Sequence, residues 1–237
     1  MPTSLQPVGS GESSTRELRP NIPVAELAAN ALRAALLDGE LRPGDPVNQY
    51  AWADRLGISR SALREGLKVL TSSKVLEHDQ NRGYRVASLS VPEMADLYWL
   101  RIVVEREVAL ATRHPTESEA RRLIAVRAAL ASSLLVRSSR AVMDAEREFS
   151  FAIYDLSERT LLAREAKRLW ELAAVYRSAV LEVALTQTEE VERLRERRDR
   201  QLKAALDGDR YSLAEIIVNE RRIMIQRFQA ERFLPGP

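Results

Sequence analysis

Apolar positions along the chain follow two different patterns, and the change falls near Pro92. Before it the segments are short and mixed. From Val24 a helical period places Leu27, Ala31, Ala35 and Leu36 on or near one face. Gly39 ends that helix, and Arg42-Pro43-Gly44 makes a turn. A short helix over Gln49–Leu56 is expected next. Gly57 supplies a tight turn, and Ser59 is placed to cap the helix that follows. Two short β segments, near Val75–Glu77 and Tyr84–Ala87, bracket a polar turn. After Pro92 every apolar period is helical. About six helices are expected, near 92–113, 116–136, 139–157, 160–184, 188–207 and 210–231. Pro115, Ser138-Ser139 and Gly208 punctuate them. The fold class predicted is mainly α. A winged helix-turn-helix with a small β wing takes 21–88, a linker 89–92, and an all-α antiparallel helical bundle 93–232. Residues 1–20 are rich in Ser, Pro and Gly with no apolar period, and read as a disordered tail.

Wound at about 100° per residue, residues 60–72 put Leu63, Leu67 and Leu70 on one narrow arc. Arg60, Ser61, Arg64 and Lys68 fall on the adjoining arc, with Glu65 the only acid nearby. A helix that follows a Gly turn and carries a basic face suits the major groove of DNA, its N-terminal residues reaching base edges. Arg60 at that end can donate two hydrogen bonds to guanine, and Ser61 can contact a base or phosphate. Ser59 and Arg64 belong to the same DNA-binding surface. Lys68 and Lys74 are placed to neutralise phosphates. Arg82 and Gly83 fall at the wing tip, where glycine allows close approach and arginine suits a narrow minor groove.

Composition narrows the chemistry. The 237 residues contain no cysteine, which removes disulfides and thiolate metal sites and fits a reducing cytoplasm. No apolar run approaches the length of a membrane span, and no signal-peptide core is seen at the start. The formal net charge is only +2 although 30% of residues are charged, so a DNA-binding surface must be a local patch. Only His78 and His114 are present, which limits imidazole chemistry.

Several motifs in order carry a resemblance. They are Gly39-Glu40-Leu41-Arg42-Pro43-Gly44, Gly57-Ile58-Ser59-Arg60, Leu63-Arg64-Glu65 and Asn81-Arg82-Gly83-Tyr84. From Val24 to Ser90 the chain resembles the GntR family of bacterial transcription regulators. Asp96-Leu97-Tyr98 with Arg101 and Glu105, and Ala204 with Gly208-Asp209, resemble the first and closing segments of that family's FCD-type helical domain. The resemblance implies a homodimer on a short palindromic operator. It also makes 93–232 a domain for dimerisation and for binding a small effector or a metal. Lys74 stands where a helix-ending glycine is usual in the family, Trp52 where a leucine is, and Tyr50 where an acidic or basic residue is.

Many FCD-type domains hold a divalent metal through one Asp and three His. The corresponding positions here are Glu146, Ser150, a third at Arg198 or Asp199, and Glu220. None is histidine, so a three-imidazole site is excluded and no cofactor is expected. An oxygen-only site from Glu146, Asp199 and Glu220 remains the alternative. The favoured expectation is a polar effector pocket formed by Arg101, Glu146, Ser150, Asp199 and Glu220. Arg101 would pair with Glu105 or meet an anion. The function expected is a cytoplasmic, non-enzymatic, sequence-specific regulator of the repressor kind, its operator affinity set by a polar metabolite. Two other readings stand beside it: a metal-dependent helical enzyme, and an architectural DNA-binding protein without an effector.

Overall fold

The computed structural model describes residues 23–230, so the segment read as a disordered tail lies outside the described residues. Three helices and a hairpin form the N-terminal head. Helix α1 spans Val24–Leu37, α2 Gln49–Leu56 and α3 Arg60–Ser72. Asn48 caps α2 by accepting from the amides of Tyr50 and Ala51. Gly57 leaves α2 with φ 63°, the left-handed conformation that lets α3 start at once. Ser59 caps α3 by accepting from Ala62 N at 3.1 Å. The buried side of α3 is Leu63, Gly66, Leu67 and Leu70. Gly66 permits a close crossing with α1. A Cβ there would meet Ala25 O and Ala28 Cβ at 2.7 Å each.

Helix α3 ends in a Schellman motif: Val75 N bonds Leu70 O and Lys74 N bonds Thr71 O, both at 3.0 Å. Its left-handed residue is Lys74, at φ 62°, where glycine would be unstrained. Strands β1 (Leu76–Asp79) and β2 (Gly83–Val86) pair antiparallel, Leu76 opposite Val86 and Asp79 opposite Gly83. Both strands start one residue off the expected positions. Pro46 adds a single bridge to Arg85, tying the loop before α2 to the wing.

Six helices follow: α4 Val91–Leu110, α5 Glu117–Val136, α6 Ser139–Tyr154, α7 Thr160–Thr186, α8 Thr188–Asp207 and α9 Arg210–Ala230. No strand lies among the described residues after Val86. Capping boxes start α4 (Ser90, Glu93) and α5 (Thr116, Glu119). The first of them draws the helix into the stretch read as linker, so α4 begins at Val91. Helix α4 packs along α9 and α7, α5 along α6 and α8, and α6 along α7. Met94, Tyr98, Val108, Leu130, Phe149 and Leu213 are among the side chains closed off between them.

Head and bundle are joined by more than the chain. Arg140 on α6 reaches Asp38 at 2.6 Å, and Arg33 on α1 lies 3.2 Å from Glu171 on α7. Where the wing runs into α4, the Tyr176 hydroxyl donates to Ala87 O at 2.9 Å and accepts from Leu89 N at 2.8 Å. Burial pushes that phenol up to about 12.

Candidate nucleic-acid interface and the polar core of the bundle

Arg60, Ser61, Arg64 and Lys68 are all exposed on one side of α3, opposite its leucines. The first turn of α2 shapes that surface. The Arg60 guanidinium lies 4.8 Å over the ring of Tyr50, itself largely exposed. Arg64 Nε donates to Gln49 Oε1 at 3.3 Å. Both arginines are thus steered by α2 before any partner arrives. Tyr50 had stood out in the sequence only as a departure from the family pattern; here it stacks on an arginine. Ser59 is exposed, and its oxygen is engaged as the α3 cap. Lys68 Nζ lies 2.8 Å from Glu65 in a pair open to water, which little holds together.

The wing presents Arg82 and Gly83 at its tip. Asp79 Oδ1 accepts from Asn81 N at 2.7 Å and Arg82 N at 3.1 Å, which shapes the turn. Those two backbone bonds hold the Asp79 carboxyl below its usual range. Gly83 has φ 74°. His78 is exposed and lies against Tyr84, ring centroids 4.4 Å apart. The basic groups of α3 and of the wing tip are therefore all accessible. Such an arrangement suits a duplex: side chains for base edges, and cations for the flanking phosphates.

The polar residues of the bundle meet differently. Arg101 Nε donates to Glu105 at 2.6 Å. Glu105 also takes Arg221, at 2.7 Å. Arg221 lies 3.1 Å from Glu220. Arg198 then forks twice, to Glu220 at 2.5 and 2.8 Å and to Glu146 at 2.6 and 2.8 Å. Glu146 is also paired with Arg177. All seven side chains are buried, and they run from α4 through α9 and α8 to α6 and α7. Burial works against each charge. The arginines outweigh it, holding Glu105 and Glu220 below the usual carboxylate range and Glu146 down to about 2. Four arginines face three glutamates.

This arrangement corrects the expected pocket. Arg101, Glu146 and Glu220 do point inward, but they meet arginines and glutamates of neighbouring helices in place of a ligand. Position 198, not 199, is the inward one. Asp199 is 59% exposed and pairs with Arg127 at 2.8 Å on the flank. Ser150 is only half-buried and stands outside the chain of ion pairs. An oxygen-only metal site does not fit these residues, because the Arg198 guanidinium sits between the two carboxylates a cation would need and Asp199 turns away. No group of three or more His, Cys, Asp or Glu able to hold a metal occurs among the described residues. The cavity beside the ion pairs, lined by Arg177, Arg197 and Glu190 among others, is about 40 Å³, little more than a water.

Sequence reasoning missed Arg177, Arg221 and the role of Arg198. Only Arg101–Glu105 carries a local signature, the i, i+4 spacing. Apart from the adjacent Glu220 and Arg221, the other links join residues 22 to 116 positions apart, for which a single sequence gives no sign.

A larger cleft, about 270 Å³, lies where α1 meets α6 and α7. It is lined by Ala34, Leu37, Met143 and Trp170 with Arg33, Arg140 and Arg147 among its polar groups.

Residues 24–86 match the family model for bacterial regulatory proteins of the gntR family. The Glc operon transcriptional activator of Escherichia coli K12 is 41% identical over 69 residues, 29% of this chain and 27% of that one. The Nta operon transcriptional regulator of Aminobacter aminovorans is 31% identical over 137 residues, 55% of this chain and 62% of that one. The match to the HTH-type regulator YdhC of Bacillus subtilis spans 34% of its length, so the chain covers about a third or less of several curated relatives. A crystal structure of a GntR regulator from Rhodococcus sp. RHA1 shares the fold at 20% identity. Its TM-score is 0.69, over 87% of this chain and 98% of that one. McbR/YncC of E. coli does so at 24% identity and TM-score 0.68, over 87% and 99%. With these matches and a winged helix-turn-helix followed by a helical bundle, the chain belongs, through residues 24–86, to the gntR family of bacterial regulatory proteins.

Proposed function

We propose that this regulator acts as a homodimeric repressor that reads a palindromic operator and leaves it when a small molecule binds the helical half. The observation that carries the reading is the exposed face of α3, where Arg60 and Arg64 are set out by Tyr50 and Gln49. Preset arginines lose less freedom on docking, so more of their hydrogen bonding is left to discriminate bases. Arg82 at the wing tip adds a contact to the neighbouring groove.

Two copies support this reading better than one. A single head covers few base pairs, and twofold repetition raises specificity without new chemistry. Helix α4 offers a surface for the second copy. Trp99, Leu100 and Val103 form an exposed apolar patch over little more than one turn, 46 to 60% accessible in the single chain.

The test is selection of bound sequences from random duplex DNA, followed by titration of Arg60→Ala. A palindromic consensus, and a loss of specific affinity in the variant with folding intact, support the proposal. An unstructured consensus, or an unchanged variant, would sink it. Sedimentation of Val103→Glu tests the dimer surface: the variant should run as a monomer, and a persisting dimer would place the interface elsewhere.

A further inference from the structure

The larger of the two cavities described above lies between the head and the bundle. Its near wall is α1, with Asn30, Arg33, Ala34 and Leu37. Its far wall is α6 and α7, with Met143 and Trp170 prominent. We propose that this cleft is the effector site, and that it takes a small molecule with an apolar body and one acceptor group, a carboxylate or a carbonyl. The proposal rests on the regulator reading above and deepens it by naming the ligand class and placing the site where the helical half meets α1 of the head.

Three observations carry it. First, among the described residues the bundle shows little room beside its ion pairs. Its carboxylates are claimed by arginines and the adjoining cavity has room for about one water, whereas 270 Å³ accommodates roughly nine water-sized groups. Second, two residues that line the cleft carry buried donors without a hydrogen-bond partner. Trp170 is 3% exposed and its indole N–H has no acceptor, and Arg33 Nε is buried 3.2 Å from Glu171 without hydrogen-bond geometry. Buried donors left open favour a ligand that brings an acceptor. The acids around the cleft are already engaged. Glu171 takes Arg147 at 2.6 Å, Glu148 takes Arg147 at 2.9 Å, and Asp144 lies 3.7 Å from Arg140. Third, the near wall is mechanically tied to the DNA-reading surface. Helix α1 crosses α3 at Gly66 with no room for a methyl group. A molecule that draws Arg33 from Glu171 would release one of the two ion pairs that span head and bundle among the described residues, and α3 would move with α1.

The indole N–H resonance of Trp170, assigned by its loss in Trp170→Phe, gives a direct readout. Benzoate and benzamide are the acceptor probes, and benzylamine, of the same body and opposite charge, is the control. Benzoate or benzamide should shift the Trp170 signal saturably, leave Trp52 and Trp99 in place, and change affinity for selected DNA by about fivefold or more. Benzylamine should do neither. Ala34→Phe, which fills the cleft from α1, should keep DNA binding and lose both responses. No Trp170 shift with either acceptor up to about ten times a millimolar Kd would overturn the proposal. So would a shift that survives Ala34→Phe, or one without any change in DNA affinity. If the native protein selects no DNA sequence at all, the regulator reading fails on its own. The Trp170 titration then still reports on the cleft.

Discussion

Arginine and glutamate do opposite work in the two halves of this protein. On the head they stand in water. Arg60 rests on an exposed tyrosine and Lys68 on an exposed glutamate, so either can turn to a phosphate or a base with little to give up. In the bundle the same residue types are shut away, each carboxylate gripped by two or more arginines drawn from different helices. An exposed charge is available for recognition because its neighbours position it without burying it. A buried one is committed, because releasing any member leaves the rest unpaired in a medium of low polarity.

The sharpest way to break this comparison is to remove the centre of the buried chain. Arg198→Ala should destabilise the fold by about 3–5 kcal/mol, as for a buried pair stripped of one partner, read by denaturant unfolding. A loss under about 1 kcal/mol, the range of exposed pairs, would mean that water reaches the site. On the head the cost should fall on binding and not on stability. Arg60→Ala and Arg64→Ala should each lose about 1–3 kcal/mol of specific DNA affinity, with the unfolding midpoint unmoved.

Acid distinguishes the halves as well. Glu146 is held near 2 in the folded chain against an ordinary value of 4.5. Its folded pKa is depressed, so its contribution to stability is complete above about 4.5 and is lost as pH falls from there towards 2. Glu146→Gln should flatten that limb of the stability profile, and an unchanged profile would show that Glu146 does not govern it. A smaller contrast lies in salt dependence. Lys68→Ala should weaken binding to all sequences alike and reduce the slope against log salt by about 1. The smallest effect is expected at Lys74. Glycine there relieves a left-handed backbone, so Lys74→Gly should add up to about 1 kcal/mol of stability, measured by thermal unfolding.

The head was largely legible before its structure was known, because its signals are local. Gly57, Ser59 and Gly83 each sit where a cap or turn needs that residue, and the leucines of α3 repeat with the helix; the Asn48 cap came only with the structure. Helix boundaries in the second half were legible for the same reason. Pro115 stands just before α5, and Gly208 stops α8. The pairing of buried charges was not. Knowing that Glu146 points inward does not reveal that Arg198 and Arg177 come to it from two other helices, since those contacts depend on how the helices are arranged around one another. The same holds for the cleft between α1 and α7, which belongs to neither half alone.

The double hydrogen bond of Tyr176 to Ala87 and Leu89 has a consequence for operator choice. It pins the segment leaving the wing at both sides of Ser88, so the head has a pivot and no slack. In the proposed dimer, two pivoted heads cannot stretch to meet half-sites that have drifted apart. One inserted base pair shifts a half-site by about 3.4 Å along the duplex axis and turns it by about a tenth of a revolution. The protein should therefore measure the gap between half-sites as strictly as the bases within them. Tyr176→Phe, which removes the clasp and keeps the ring, should make it a more forgiving ruler.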